Sequence, residues 1–153
     1  MEFKLTSPAF NHGSQIPSKY TCDGENINPH LVIHGVPGRS KSLVLVMEDP
    51  DAPGSPRVHW LVWNIPPETK EIREHSAPFG ALEGVNGAGG IGYTGPCPSE
   101  GTHRYFFRLF ALDTRLKVPD EAVREELETA MEGRIIAVTE LVGTYIRTNE
   151  APV

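Results

Sequence analysis

Blocks of apolar and β-branched residues recur along the chain at LVIHGV (31–36), SLVLVMED (42–49), HWLVWNI (59–65), RYFFRLFAL (104–112) and IIAVTELVGTYI (135–146). Each block has the length and composition of a strand, so the pattern predicts a mainly β chain. The separators PGRSK (37–41), DPDAPGSP (49–56), IPPET (65–69) and GVNGAGGIGYTGPCPSEG (84–101) hold the residues that strands avoid. One segment has helical period: in PDEAVREELETAMEG (119–133), Val123, Leu127, Ala130 and Met131 fall at i, i+4, i+7 and i+8. Pro119 suits its first turn, Asp120 and Glu121 suit the positive end of its dipole, and Gly133 suits a left-handed stop. We expect this helix to be scaffold. Trp60 and Trp63 lie three apart on one predicted strand and so face opposite sides of it.

The chain has 153 residues, with no internal repeat and no composition shift that would mark a linker. A single domain over 1–153 is expected. Its 14 basic and 20 acidic side chains give a net charge of −6, which argues against general attraction to nucleic acid or anionic lipid surfaces. No run approaches the ~18 apolar residues of a spanning helix, and MEFKLTSPAF lacks the cationic start and apolar core of a signal peptide. A cytoplasmic location without an integral membrane segment is therefore expected. Cys22 and Cys97 belong to no CxxC pair, which excludes a zinc ribbon or thioredoxin motif. In a cytosolic chain the expectation is two thiols in preference to one long-range disulfide.

The letters GAGGIG (87–92) match a dinucleotide fingerprint, but YTGPCPSEG follows where a helix would have to receive the pyrophosphate. The match is a decoy. No G-x-S-x-G elbow, P-loop or H-E-x-x-H is present. A better signal is that two proline-rich loops each end in a histidine at the start of a strand: DPDAP leads to His59, and GPCPSEGTHRY leads to His103. If the two strands are neighbours, both imidazoles and the carboxylates Asp49 and Asp51 gather at one end of a sheet. Taken singly, the carboxylates read as turn caps and the histidines as satisfied core residues. Together they read as a small polar pocket. His12, His30, His34 and His75 are read as surface or packing residues. Arg104, which alternation turns away from His103 and Tyr105, is expected to pair with an acidic neighbour and buttress the site.

EDPDAP, its spacing to HWLVWNIP, the GPCP segment, GTHRYFFRLFAL and the earlier YTCDGENINP together resemble the phosphatidylethanolamine-binding protein family, in its compact prokaryotic, Raf kinase inhibitor-like branch. The resemblance covers nearly the whole chain. It implies a Greek-key β-sandwich, a small C-terminal helical element and an anion-binding pocket at one end. Carried over by position, it implies a pocket of Asp49, Asp51, His59, His103 and Tyr105, with Pro53 and Pro96 as walls and the Gly95 backbone as a donor. The chain departs from the usual pattern at His30, His34 and Ser99. Compact relatives are often homodimers, so a homodimer is an expectation too.

The expected function is non-catalytic binding of a small anionic or phosphorylated ligand, with phosphoethanolamine-like head groups in view and an unidentified protein partner as a regulatory target. In that reading Asp49 and Asp51 orient the imidazoles and favour imidazolium at His59 or His103, whose second nitrogen donates to the anion. The remaining negative charge would suit an ammonium group. No catalytic residue, metal or cofactor is assigned. Two alternatives belong to other classes: a hydrolase or metal enzyme using the Asp/His set, and a partner-binding protein with a vestigial pocket.

Overall fold

A computed structural model describes residues 2–54 and 56–147. It contains β1 (Lys4–Thr6), β2 (Leu31–His34), β3 (Ser42–Asp49), β4 (Arg57–Ile65), β5 (Glu71–Ile72), β6 (Leu82–Glu83), β7 (His103–Leu112), α1 (Arg124–Met131) and β8 (Ile135–Tyr145). The strands form two antiparallel sheets, a small one of order β1-β2-β5 and a large one of order β6-β4-β3-β7-β8. The five expected strands are all present. β1, β5 and β6 were not expected, since two or three residues carry too little alternation to be read.

β3 lies at the centre of the large sheet and all eight of its residues are buried. Its two faces serve two cores, which explains the unbroken apolar run. Leu43, Leu45 and Met47 join Trp60, Val62, Phe107 and Leu109 against Leu5, Ile33 and Ile72 of the small sheet. Val44 and Val46 join Leu61, Trp63 and Leu112 against Leu116, Ala122, Leu127 and Met131. Trp60 and Trp63 thus anchor opposite layers, as their spacing requires.

α1 links β7 to β8 in the C-terminal third. It starts at Arg124, later than its apolar stripe alone implies: Pro119 precedes a turn in which Glu121 has φ +60°. Glu126 supplies the start by accepting the Val123 N–H at 3.0 Å, and Gly133 closes the end at φ +73°. Under the helix, Glu48 is buried and ion-paired to Arg108 and, at 3.1 Å, to Arg124. Arg124 also reaches Glu128 at 3.0 Å, which ties the first turn of α1 to the large sheet.

Candidate functional site

β3 and β4 pair Met47 with Trp60 and next Glu48 with Val58, leaving His59 unmatched. That extra residue is a β-bulge, a device that re-aims a side chain. Regular alternation would send His59 to the face opposite Trp60. Here the imidazole instead meets Tyr105 edge-on, with ring centroids 5.2 Å apart. Its Nδ1–H donates to the Thr94 carbonyl at 2.7 Å, which fixes the tautomer. Its Nε2 is buried and has no protein partner among the described residues. Burial pushes the His59 pKa down, with the Arg57 charge adding to the effect and the Thr94 carbonyl and Asp49 opposing it. Burial thus favours the neutral imidazole at His59 over the expected imidazolium, and with Nδ1–H given to Thr94 the neutral ring leaves Nε2 as an acceptor.

His103 opens β7, and alternation turns His103 and Tyr105 inward and Arg104 outward. Asp49, at the end of β3, accepts from His103 Nδ1 at 2.6 Å through Oδ2 and from the Asp51 backbone N–H at 2.8 Å through Oδ1. One carboxylate therefore does both jobs foreseen for the acidic turn: it orients an imidazole and closes an Asx turn.

Asp51 does neither. Its carboxylate accepts from the Arg104 backbone N–H at 2.9 Å, from Nε at 3.0 Å and from Nη2 at 2.8 Å. The Arg104 hydrogen bonds hold the Asp51 carboxyl at about 2, well below the usual carboxylate range. Arg104 is the expected buttress, but Asp51 is its partner and not a wall of the pocket.

Asp49, His59, His103 and Tyr105 line a cavity of about 760 Å³, within the range of small-molecule sites. Pro53, Arg57, Asn86, Gly87, Cys97 to Ser99 and the start of α1 add to its lining. Ser99, one of the departures from the family pattern, is thus on the lip; His30 and His34 are not among the lining residues. His34 Nε2 lies 3.2 Å from the Thr6 hydroxyl, and His30 pairs with Glu71 at 3.1 Å.

Gly95 and Pro96 do not line this cavity. The Gly95 N–H is already donated to Asn26 Oδ1 at 2.8 Å, and a Cβ there would collide with the Tyr20 carbonyl and the Asn26 side chain. The Pro96 carbonyl accepts the Cys22 N–H at 3.1 Å. Both residues strap the loop to the 20–26 segment. Cys22 and Cys97 complete the strap as a disulfide, Cα atoms 5.4 Å apart, which corrects the expectation of thiols. The pairing is invisible in sequence because 75 positions separate the two residues.

The glycine-rich stretch has a structural task of its own. Asn86 donates to the Gly92 carbonyl at 2.9 Å and accepts the N–H groups of Ala88 at 2.9 Å and Gly90 at 3.2 Å. Gly89 and Gly92 turn at φ +85° and +95°, which side chains disfavour. The letters of a nucleotide fingerprint here encode a compact loop around one asparagine. Sequence reasoning also missed Arg57 and Asn86 as lining residues; Arg57 stands two before His59, but only the strand register shows where it points.

Among the described residues no three His, Cys, Asp or Glu side chains form a metal-binding group, and no helix is long and apolar enough to cross a membrane. A two-sheet β-sandwich with a histidine-bearing cavity at one end of its larger sheet is the class that fold and site define. Residues 6–146 match the family model described as phosphatidylethanolamine-binding protein. The chain belongs to that family.

A UPF0098 protein of Methanothermobacter thermautotrophicus is 48% identical over 148 residues, covering 94% of this chain and 98% of the relative. One from Chlamydia trachomatis is 46% identical over 147 residues, covering 93% and 97%. Among solved structures, the phosphatidylethanolamine-binding protein homolog CT736 of Chlamydia trachomatis superposes with a TM-score of 0.91 at 44% identity, over 95% of this chain and 97% of that one. Escherichia coli YbcL, described as a member of the mammalian PEBP family, does so with a TM-score of 0.90 at 31% identity, over 97% and 100%.

Proposed function

We propose that this chain binds a small phosphorylated or otherwise anionic molecule in the His59–His103 cavity, without catalysis. The observation that carries the reading is His59, a residue that lines the cavity and whose buried Nε2 has no protein partner among the described residues. Buried polar atoms are rarely left unsatisfied, so a ligand atom is the natural partner. Burial favours the neutral imidazole, and to that form the partner brings a proton. A phosphomonoester with its second pKa near 6 does so as the monoanion, P–OH donating to His59 Nε2. His103, held by Asp49, offers its Nε2 to a second oxygen; when doubly protonated it donates while Asp49 balances its charge.

The proposed consequence is binding that weakens from pH 6 to pH 8 as the ligand loses the proton it gives to His59. Calorimetric titration of inorganic phosphate and phosphoethanolamine into wild type, His59→Ala and His103→Ala at both pH values tests it. Binding by wild type at pH 6 that drops in both variants is expected. No heat in wild type would discard the reading in favour of a vestigial pocket.

Membership in a family named for binding supports a binding role, as does the locking of Cys97, the one thiol at the cavity, in a disulfide. The Asp49–His103 pair at 2.6 Å is nonetheless an arrangement that activates a base. Turnover of p-nitrophenyl phosphate that is abolished in His103→Ala would replace binding by hydrolysis.

The proposal takes residues 1–153 as one binding domain and includes a homodimer, which sedimentation at micromolar concentration checks. It also includes regulation of a partner protein through ligand occupancy, to be read by pull-down with and without saturating phosphate. A cytoplasmic location is proposed as well. The disulfide is of a kind uncommon in reducing compartments, so alkylation of cells before lysis is the decisive check.

A further inference from the structure

The cavity has one cation that the phosphate-binding reading leaves unused. Arg57 opens β4 directly opposite Asp49 in the antiparallel register, so both side chains leave the same face of the sheet, toward the cavity. Asp49 is committed to His103 and to the Asp51 amide. The other lining arginine, Arg124, is committed to Glu48 at 3.1 Å and to Glu128 at 3.0 Å. Arg57 has no carboxylate within ion-pair distance among the described residues.

Its stem is nevertheless held in place. A Cβ on Gly87 would stand 2.9 Å from Arg57 Cγ and 3.5 Å from its Nε, so the bare glycine makes the seat on which the arginine lies. The Gly87 N–H bonds the Val58 carbonyl at 2.8 Å and fixes that seat to β4. The Arg57 charge reaches into the cavity, since it adds to the burial that pushes the His59 pKa down and opposes the burial and the carboxylates that push Tyr105 up. Glu125, the remaining charged lining residue, sits exposed on the first turn of α1, where the positive helix end offsets it.

We propose that Arg57 determines the specificity of this cavity by selecting ligands that carry a second acidic group beside the phosphate, phospho-acids, over zwitterionic phospho-amines. The proposal rests on the reading that the His59–His103 end holds a phosphate. A volume of about 760 Å³ holds far more than one phosphate, so a second group has room to reach the Arg57 side. An uncommitted guanidinium there repels an ammonium group and forms a charge-assisted pair with a carboxylate. This reverses the preference that the acidic turn alone implies. The acidity of that turn is spent on His103 and Arg104, which leaves Arg57 as the uncommitted charge on the β-sheet side of the cavity.

Phosphoglycolate and phosphoethanolamine form a matched pair, each a two-carbon phosphomonoester, one ending in carboxylate and the other in ammonium. Calorimetry with both, and with inorganic phosphate, is run at pH 7 and fixed ionic strength on wild type, Arg57→Gln and Arg57→Lys. Wild type is expected to bind phosphoglycolate about tenfold more tightly than phosphoethanolamine, the size of one charge-assisted contact. Arg57→Gln should bring that ratio to near one while inorganic phosphate binding changes by less than about threefold, and Arg57→Lys should restore part of it. Equal affinities in wild type, or a ratio unchanged in Arg57→Gln, would overturn the role of Arg57 while leaving the phosphate site intact. Wild type that ignores inorganic phosphate would overturn both together.

Discussion

Removing the Cys22–Cys97 bond acts on the unfolded chain more than on the folded one. The bond closes a loop across a sequence separation of 75. Loop-closure entropy for that length gives about 4.5 kcal/mol of stabilisation at 25 °C. The folded state keeps other ties between the same segments: Cys22 N–H to the Pro96 carbonyl at 3.1 Å, Tyr93 hydroxyl to the Tyr20 carbonyl at 2.7 Å, and Gly95 N–H to Asn26 at 2.8 Å. The native arrangement should therefore survive reduction, with the loss appearing as a freer denatured state. Guanidinium unfolding of the oxidised protein, the reduced protein and a Cys22→Ser/Cys97→Ser double variant measures it, with the thiol state of each confirmed by mass after alkylation.

Both bond-free forms should lose about 3–5 kcal/mol and show a steeper denaturant dependence, because more surface is exposed on unfolding. The melting temperature should fall by about 10–15 °C for a chain of this size. A difference below about 1 kcal/mol, with the disulfide proven in the reference sample, would refute the reasoning. It would mean that the denatured ensemble already holds the two segments together without the bond.

Burial depresses the His59 pKa, so the unfolded chain takes up a proton that the folded one resists. The stability this gives is complete above the unfolded value of about 6.5 and is lost as pH falls through the folded one, by up to about 1.4 kcal/mol per pH unit; His59→Gln should flatten that limb in urea titrations from pH 5 to 8, and parallel curves would contradict it. Asp51, held at about 2 chiefly by Arg104, gives stability that is present above the unfolded value of about 3.9 and lost as pH falls toward 2; Asp51→Asn should lower stability at neutral pH and remove this acid-side loss while leaving phosphate affinity at pH 6 within about twofold, as denaturation and calorimetry would show. Glu48→Gln leaves Arg108 and Arg124 without their shared buried carboxylate, and we expect a loss of about 2–3 kcal/mol in chemical denaturation. Gly95→Ala forces a Cβ into the Tyr20 carbonyl, so it should cost at least about 1–3 kcal/mol, against near-neutral behaviour for the same change at Gly38, where nothing lies within 4 Å.

Strand content and the opposed tryptophans were legible in the sequence, because side-chain period and apolar run length are local properties of the chain. So was the pairing of the acidic turn with two histidines at strand mouths, since each lies in a short contiguous motif. What the letters could not carry was the partner of each group. Asp49 and Asp51 look equivalent in DPDAP, yet one holds His103 and the other Arg104, and the choice is made by the β3–β7 register. A single unmatched residue in β4 turns His59 toward Tyr105. The disulfide and the seating of Arg57 on Gly87 depend on segments far apart in sequence meeting at one edge. Alternation and turn chemistry are written residue by residue, whereas register, bulges and long-range pairing are fixed only when the two cores on either side of β3 close.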